Sequence, residues 1–459
     1  MPERKGYPFL KEIAGMRPDD GSTIDIPAWL LLQNVWVSPN GKLRSRPFFS
    51  NYSRTHSNLI NGIDNTHSNG HVYVADGNFY IDGYLRGTIS GSGFLKVDVS
   101  RKTTVFTVGG YPVIWNGTGS IPLTNLPNIY TLATFAGAQR LRLAAVSSND
   151  TRKIIITAPG NLNDTGTTIT DPLGINDEKT EGHIIKNMPY EITDMAEMDG
   201  SIYIFTKHGI FKMDPTVKEF GFSVQIGKVV NMEVWPGKVY RAAGQYYFLN
   251  SDGIFAFSGQ GIKKINMDGM ERTIRSSMVY GQTHISYDNE RKLLFLTPND
   301  TDSTTWVYNE RTSHWYRWDL AIRDTVCQNG TVYIAAKYQW GELKDTFTHP
   351  ASTDIVLKSG LNTFGNELSR KVFKRILLNI QASSEIQYFM DIFTDSIPDT
   401  PLQPLISDKP PYQVLSADIM KKAKRGSVYI RIKTFKELVF DDLSIVYYEK
   451  PARVGIRSL

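Results

Sequence analysis

The chain has 459 residues, of which 41% are hydrophobic, 21% charged and 12% aromatic. That balance is enough for a sizeable core and excludes a disordered or low-complexity chain. The single cysteine, Cys327, excludes an intramolecular disulfide and any site built on several cysteines, and a formal net charge of +5 is too small to indicate a nucleic-acid partner by itself.

At the N-terminal end, residues 1–30 are predicted to form an arm before the first folded unit. They contain no apolar run that could serve as the core of a signal peptide. The longest apolar stretch, residues 26–32, is much shorter than the about 20 residues that a membrane helix needs. We therefore expect no membrane span and assembly in the cytoplasm.

A hairpin pattern recurs along residues 31–360. Residues 202–213 align without a gap on residues 246–257, and each segment is a β-rich run, a turn that ends in glycine and a second β-rich run. The aligned Gly209 and Gly253 indicate a turn that requires positive φ at that position. Weaker copies have first runs that start at residues 72, 105, 141, 293 and 332.

Spacings of about 40–50 residues with several short strands per repeat are typical of β-propeller blades. Residues 31–360 are therefore predicted to form a β-propeller of six or seven blades, without a helix longer than two or three turns. The widest gap between repeats contains residues 159–190, which are rich in turn formers and are predicted to be a loop insertion.

After residue 356 the repeat ends. Val428, Ile430 and Ile432 alternate with polar or aromatic neighbours, and that period of two indicates a half-buried antiparallel strand. With further strand-like runs, residues 366–450 are predicted to form a small C-terminal β-sandwich, followed by a tail at 451–459. The expected fold is therefore all-β, a propeller followed by a sandwich.

The positive charge is concentrated at the C-terminal end. Residues 361–459 hold 15 basic and 11 acidic residues, whereas residues 1–360 hold 36 and 35. The densest basic cluster is a candidate contact for a partner or for DNA phosphates, although a solvated loop with gatekeeping charge is the more common explanation of such a cluster. It consists of Lys421, Lys422, Lys424 and Arg425.

Motifs for catalysis are weak. His67 and His71 have close spacing but no adjacent carboxylate, and a metal site needs at least three converging ligands. Residues 164–166 match the Asp-Thr-Gly tripeptide of aspartic proteases without the second copy that such enzymes need. A serine-nucleophile elbow and a phosphate-binding loop are both absent from the sequence. We expect a protein that is not an enzyme, without catalytic residues, metal or cofactor.

Three stretches carry a family resemblance. They are QNVWVSPNGKLRSRPFF at residues 33–49, WVYNERTSHWYRW at residues 306–318, and the C-terminal strands YIRIK and LSIVY at residues 429–433 and 443–447. Together they resemble the tail-nozzle proteins of short-tailed bacteriophages, which are also described as packaged-DNA stabilisation or lower tail tube proteins. Phe48 stands where that family often has glycine.

The resemblance implies a structural protein of the virion tail. It implies a homo-hexameric ring below the dodecameric head-to-tail adaptor, which extends the DNA-ejection channel, anchors tail spikes or fibres, and is closed by a needle or plug protein. Double-stranded DNA would pass without sequence-specific contacts. The near-neutral balance of residues 1–360 suits such passage, because each neutralised phosphate would add affinity for the duplex.

The alternative is a propeller protein that binds or hydrolyses polysaccharide. It rests on the fold class and on abundant aromatic residues, which more often pack between blades than line a sugar cleft. The feature that would favour it is a group of carboxylates and aromatics converging at one mouth of the propeller. The aromatics that could line such a cleft are Tyr246, Tyr247, Trp315 and Trp318.

Overall fold

The computed structural model contains almost only β-structure. The residues that it describes are 4–5, 29–52, 55–100, 103–135, 142–157, 184–218, 221–267, 269–345, 353–359, 370–382, 386–394, 405–407, 412–423 and 425–450. Within these ranges the chain forms 39 strands and one short helix. Among the same residues, no helix is long and apolar enough to cross a membrane.

Five strands precede the repeats. They are β1 (Arg4–Lys5), β2 (Trp29–Gln33), β3 (Val35–Val37), β4 (Leu43–Ser45) and β5 (Phe48–Asn51).

Four antiparallel four-stranded sheets follow in chain order, and we call them the first to fourth units. The first is β6 (Gly62–Asn65), β7 (His71–Ala75), β8 (Asn78–Ile81) and β9 (Tyr84–Thr88). The second is β10 (Gly91–Val99), β11 (Thr104–Gly109), β12 (Val113–Trp115) and β13 (Ser120–Pro122). The third is β14 (Ile129–Thr134), β15 (Leu143–Ser147), β16 (Lys153–Ile156) and β17 (Ile184–Asn187). The fourth is β18 (Ile192–Met198), β19 (Ser201–Thr206), β20 (Gly209–Lys218) and β21 (Gly221–Val230).

Three more units complete the series. The fifth is β22 (Tyr240–Ala242), β23 (Gln245–Asn250), β24 (Gly253–Phe257) and β25 (Ile262–Lys264), and the helix α1 (Glu271–Ser277) follows it. The sixth is β26 (His284–Asp288), β27 (Leu293–Thr297), β28 (Thr305–Asn309) and β29 (His314–Trp318). The seventh is β30 (Ile322–Gln328), β31 (Thr331–Ala336), β32 (Gln339–Lys344) and the N-terminal β5.

The C-terminal region has seven strands. They are β33 (Thr353–Ser359), β34 (Arg370–Ala382), β35 (Ile386–Phe393), β36 (Leu405–Ser407), β37 (Tyr412–Ala423), β38 (Ser427–Thr434) and β39 (Leu438–Lys450).

The predicted repeats match these units. Each of the seven predicted run starts, at residues 72, 105, 141, 202, 246, 293 and 332, lies within two residues of the start of the second strand of a different unit. The aligned hairpins of residues 202–213 and 246–257 are β19–β20 and β23–β24. The repeated strands are therefore confirmed, but each unit has one further strand before the one that the sequence marked.

The two aligned glycines differ from each other. Gly253 has φ of 128°, as predicted for the turn. Gly209 is not among the residues with positive φ, so that prediction was wrong for this position. A Cβ atom at Gly209 would lie 2.8 Å from the carbonyl oxygen of Val230, so close approach of β21 is what requires glycine there.

Neighbouring units pack against each other through shared clusters of buried side chains. The same holds for the seventh and first units, whose cluster contains Tyr73 and Ala335. First strands of the units also touch: β6 contacts β10 and β30, β10 and β18 contact β14, and β22 and β30 contact β26. This arrangement is consistent with a propeller-like all-β fold. Pairs that represent the other clusters are Val74 with Phe106, Val105 with Leu132, Ile154 with Ile204, Phe205 with Phe248, Tyr247 with Tyr287, and Phe295 with Ile334.

The strand pairing crosses the domain boundaries predicted from the sequence. Strand β2 pairs with β29 of the sixth unit on one side and with β33 on the other, and β33 continues through β38 and β35 to β36. Strands β3 and β4 join β39, β34 and β37 in a second sheet, in which β1 also pairs with β39. The two sheets share one buried core in the predicted sandwich region, to which the N-terminal segment and β33 contribute strands.

The predicted loop insertion also differs in extent. Residues 158–183 lie outside the described residues, but 184–187 form strand β17, which pairs with β16 as the outer strand of the third unit. The short run of two isoleucines, a lysine and an asparagine there gives little strand signal beside the turn-rich sequence before it. The predicted tail, 451–459, and most of the arm, 1–30, lie outside the described residues.

Candidate functional site

A cavity of about 420 Å³ lies between the first strands of the units. Its walls come from β6, β10, β14, β18, β22 and β30, with residues next to them, so we call it the central cavity. Most of its lining side chains are polar or charged. The charged ones are Asp64, Lys96, Asp98, Asp194, Glu197, Lys238 and Arg241.

Lys96 and Asp194 form a buried ion pair in the cavity lining. The Lys96 ammonium donates to Asp194 Oδ2 at 2.6 Å and to the carbonyl oxygen of Gly237. Asp194 also accepts from Thr131 Oγ1 at 2.6 Å and from the backbone N–H of Val239 at 2.7 Å. This one carboxylate therefore ties together the second, third and fourth units and the segment that enters the fifth.

Lys238 makes a second buried link. Its ammonium donates to Asp64 Oδ2 at 2.9 Å and to Asp324 Oδ2 at 2.8 Å, which joins the segment before the fifth unit to the first and seventh units. Burial acts to lower the pKa of Lys238, but the carboxylates of Asp324 and Asp64 outweigh it and raise that pKa above its ordinary value. The lysine is therefore charged at neutral pH.

Strand β10 also contacts the start of β26 through a pair of rings that are not part of the cavity lining. The ring of Phe94, on β10, lies 4.8 Å from the ring of His284, at the start of β26. His284 Nε2 bonds Asp300 Oδ1 at 2.7 Å, and Arg323 Nη1 donates to the same oxygen at 2.5 Å. Burial lowers the pKa of His284 to about 4, although Asp300 opposes that shift, so this contact is a neutral histidine against an aromatic ring.

Asp98, Glu197 and Arg241 are three further charged residues of the cavity lining. Asp98 accepts two hydrogen bonds from Thr134, from the backbone N–H at 2.5 Å and from Oγ1 at 2.9 Å. Burial raises the pKa of Asp98 to about 6 against the effect of these bonds. Arg241 is 3.5 Å from Glu197 Oε2, and its side chain is 58% exposed.

Asp98 differs from the other carboxylates that line the cavity. Asp64, Asp194 and Glu197 each have a lysine or arginine within 4 Å, whereas Asp98 has none among the described residues. Each of its two oxygens accepts one hydrogen bond from Thr134 and keeps further acceptor capacity.

The predicted basic cluster has mixed surroundings. Lys421 is not a free surface charge, because its ammonium lies 2.7 Å from both oxygens of the buried Asp391 and 3.0 Å from the carbonyl oxygen of Ile392. Lys422 is exposed and Arg425 is half-buried, whereas Lys424 lies outside the described residues. A role of the cluster toward a partner or DNA stays a prediction.

The other residues that the sequence singled out are dispersed. His67 Nδ1 lies 3.0 Å from Thr104 Oγ1, and His71 is buried with its ring stacked on Tyr333. No group of three or more histidine, cysteine, aspartate or glutamate side chains in the described ranges could hold a metal ion. The tripeptide at 164–166 lies outside those ranges.

The four aromatics considered for a sugar cleft are almost completely buried. Trp315 donates to the carbonyl oxygen of Asn266 at 2.9 Å and Trp318 to that of Val35 at 3.0 Å, so both serve the core. Tyr247 stacks on Tyr287, 5.3 Å away. Tyr246 is the member of this group that lines the central cavity, where its hydroxyl donates to the carbonyl oxygen of Glu197.

The charged centre was missed from the sequence, although a signal for it exists. Asp64, Asp194, Lys238 and Asp324 each lie eight residues before a predicted run start, at 72, 202, 246 and 332. A charge that recurs at one position in four of the seven repeats marks the same place in those units. The strands at or next to these positions escaped prediction because polar residues interrupt their apolar positions, as Asp194 does in β18, or because the strand is short, as the three-residue β22 after Lys238 is.

Comparisons with known proteins give distant structural similarity. No family model matches the chain, and no curated protein matches it. Two solved structures from B. thetaiotaomicron are similar to it, described as extracellular domains of a hybrid two-component system and of a one-component system. The first has a TM-score of 0.40 and 11% identity over 76% of this chain, and the second has 0.42 and 8% over 89%. The chain spans 44% and 63% of their lengths.

Proposed function

We propose that the chain is a structural component of the tail of a short-tailed bacteriophage, a nozzle subunit that assembles into a hexameric ring below the portal adaptor. The observation that carries this proposal is the pairing of a propeller-like body with a C-terminal two-sheet region, the two parts that the resemblance at residues 33–49, 306–318 and 429–447 implies. Strand β2 joins the sixth unit and the C-terminal region in one sheet, which supports a rigid subunit suited to the wall of a tail channel.

The body is, in this proposal, a closed propeller of seven blades. Seven units follow each other in the chain, and the buried cluster of Tyr73 and Ala335 between the first and seventh units supports closure. The last blade takes its outer strand, β5, from the N-terminal segment, which pairs with β32. This exchange ties the two ends of the propeller together without any disulfide.

The DNA path lies between subunits and not through the propeller. The central cavity of about 420 Å³ corresponds to about 14 water molecules at ~30 Å³ each, far less than a duplex requires. The ion pairs of Lys96 and Lys238 also cross it. A closed ring of subunits, in which each copy offers two different faces to its neighbours, supplies a wider channel.

Electron microscopy of the purified full-length chain tests this proposal. We expect rings with sixfold symmetry, either alone or after addition of the matching adaptor protein, and labelling of the protein at the tail of intact virions. The proposal is wrong if the folded chain remains monomeric with adaptor present and antibodies against it label no part of the virion. Circular dichroism on the same sample confirms that the chain is folded.

A further inference from the structure

The sheet that contains β2 has one buried and one open face in the C-terminal region. Successive residues of a strand point to opposite faces, and one set is buried in β33, β38 and β35. The other set is half-buried or exposed, except Asp391. It comprises every second residue from 354 to 358, from 429 to 433 and from 387 to 393. We call this set the outer face, together with Gln33 and Arg317, which lie beside it in β2 and β29.

The strand register makes the outer face continuous across six strands. Paired residues of neighbouring strands lie side by side on the same face of a sheet. At about 4.8 Å between strands, a row of six paired residues is about 24 Å long. All members of the row are half-buried or exposed. From β28 to β35 they are Trp306, Arg317, Gln33, Val356, Arg431 and Phe389.

The two carboxylates of the outer face are both compensated. Arg431 Nη2 donates to Asp354 Oδ2 at 2.7 Å, and Lys421 donates to Asp391 from the neighbouring sheet at 2.7 Å. Neither carboxylate is therefore left to balance further positive charge on this surface.

Three cations of the outer face are not compensated in this way. Arg317, Lys358 and Lys433 have no carboxylate within 4 Å in the described part of the chain. The guanidinium carbon of Arg317 lies 5.6 Å from the centre of the Trp306 ring, and its Nε is buried without a hydrogen bond to any described residue. The outer face therefore has a net positive charge, which attracts an anionic partner.

The three cations are spread over an area and do not follow a line. Arg317 and Lys433 are three strands and two residues apart in the register, which corresponds to about 16 Å between backbone positions. The same geometry gives about 12 Å between Arg317 and Lys358 and about 14 Å between Lys358 and Lys433. A duplex presents phosphates on both sides of a groove, about 12 Å apart for the major groove, whereas a single strand presents one line. The spacing favours a duplex.

The aromatic residues of the outer face also favour a duplex over a single strand. The ring of Tyr429 lies 5.8 Å from that of Phe389 and 5.2 Å from that of Phe393, and all three are half-buried. Proteins that bind single strands stack unpaired bases on open aromatic faces. Because these rings cover one another, the outer face offers charge and not a stacking platform.

We propose that the outer face binds double-stranded DNA through its phosphates, without sequence preference, and that Arg317, Lys358 and Lys433 make the contacts. Three contacts give weak binding that depends steeply on salt, because each neutralised phosphate releases counterions. The surface differs from the basic cluster predicted from the sequence, in which Lys421 is bound to Asp391. The proposal does not depend on the nozzle ring, because it concerns one surface of one subunit.

Fluorescence anisotropy of a short labelled duplex of mixed sequence, titrated with the full-length protein, is the direct test. For three phosphate contacts we expect affinity to fall about 40-fold between 50 and 200 mM salt, a log–log slope of about −2.7. Lys358→Gln combined with Lys433→Gln should weaken binding at 50 mM salt and reduce that slope to about −0.9. Lys433 is exposed, so Lys433→Gln alone keeps the fold and should reduce the slope by about 0.9.

The matched control removes two lysines from another strand. Lys263→Gln combined with Lys264→Gln makes the same change in net charge at two exposed residues of β25, and it should leave the slope unchanged. The proposal is overturned if folded wild-type protein does not bind the duplex at 50 mM salt, or if both double variants have equal slopes. It is also overturned if a single strand of the same length, or polyglutamate, binds as tightly as the duplex.

Discussion

The most informative perturbation is removal of the ammonium group of Lys238. This group lies 2.9 Å from Asp64 and 2.8 Å from Asp324, and 5.4 Å from the centre of the Tyr240 ring. The Asp324 side chain is 3% exposed. In Lys238→Met the alkyl stem is kept, but among the described residues Asp324 retains only the backbone N–H groups of Ile63 and Thr325 as donors.

The expected loss of stability is large. Breaking a buried ion pair by removing one partner costs about 3–5 kcal/mol, because the other charge stays buried without compensation. Arg375→Met is the comparison, since Arg375 pairs with Asp418 at the surface with both side chains about half exposed or more. Exposed pairs contribute little, so that variant should unfold close to wild type.

Urea unfolding followed by tryptophan fluorescence and circular dichroism measures the effect. We expect a lower midpoint for Lys238→Met and a partial recovery when Asp324→Asn is added, because the double variant no longer buries an unpaired charge. The two single variants and the double variant form a cycle that isolates the coupling between the two residues. Coincidence of the two signals shows whether a single transition is measured.

The loss should depend on pH. Burial raises the pKa of Asp324 to about 6 even though Lys238 opposes that shift. A carboxyl group whose pKa is higher in the folded protein binds more protons there, so it favours folding at low pH and loses that contribution as the pH rises through about 4 to 6. Without Lys238 the penalty should therefore be greatest at pH 8 and smaller at pH 5.

The reasoning is refuted if Lys238→Met is no less stable than Arg375→Met at pH 8. It is also refuted if Asp324→Asn, added to Lys238→Met, lowers stability by the same amount as it does in the wild-type background. Either result would mean that the two charges at the centre are not coupled in the folded protein.

Three further predictions concern other parts of the fold. Gly341→Ala should destabilise the seventh unit strongly, because its Cβ would lie against the Ser50 carbonyl oxygen and 2.8 Å from Asn51 Cα. Gly227→Ala is the control, since a Cβ there has nothing within 4 Å. Limited proteolysis should cut near residue 52 faster in the first variant than in the second. Asp98→Asn should raise the free energy of unfolding by about 1–2 kcal/mol at pH 8 and by less at pH 5, measured by urea unfolding at both pH values. The reason is that burial raises the pKa of Asp98 to about 6, so the ionised carboxylate costs stability in the folded protein above that pH. Lys421→Met should destabilise the C-terminal region by about 3 kcal/mol in thermal unfolding, because Asp391 is 3% exposed and loses its cation; an unchanged midpoint would contradict that role.

The repeat was predictable because its signal is local. Hairpins such as β19–β20 and β23–β24 join strands only a few residues apart, so neighbouring residues specify both the strands and the turn. The first strand of each unit was less visible. Its side chains face a polar centre, as Asp194 on β18 does, so the apolar runs that mark a buried strand are missing there.

Pairings between distant segments could not be read from the sequence. Strand β5 adds to β32, almost 300 residues later, and β2 lies between β29 and β33. The sequence of residues 29–51 does not specify which strands they pair with, because the backbone hydrogen-bonding groups at a strand edge are the same for any partner strand. The predicted boundary between propeller and sandwich therefore divided a sheet that is continuous in the structure, since β2 pairs with β29 on one side and with β33 on the other.

By itself, the sequence determined an all-β chain built from repeated hairpins and ended by a different C-terminal region, since strand alternation and glycine turns depend on adjacent residues. The tertiary structure decided which charges meet. Lys238 lies within 3 Å of Asp64 and Asp324 because segments of three units meet there, and Asp98 is left without a basic partner among the described residues. Those relations depend on through-space distances of a few ångströms between residues far apart in the chain, which composition and spacing do not specify.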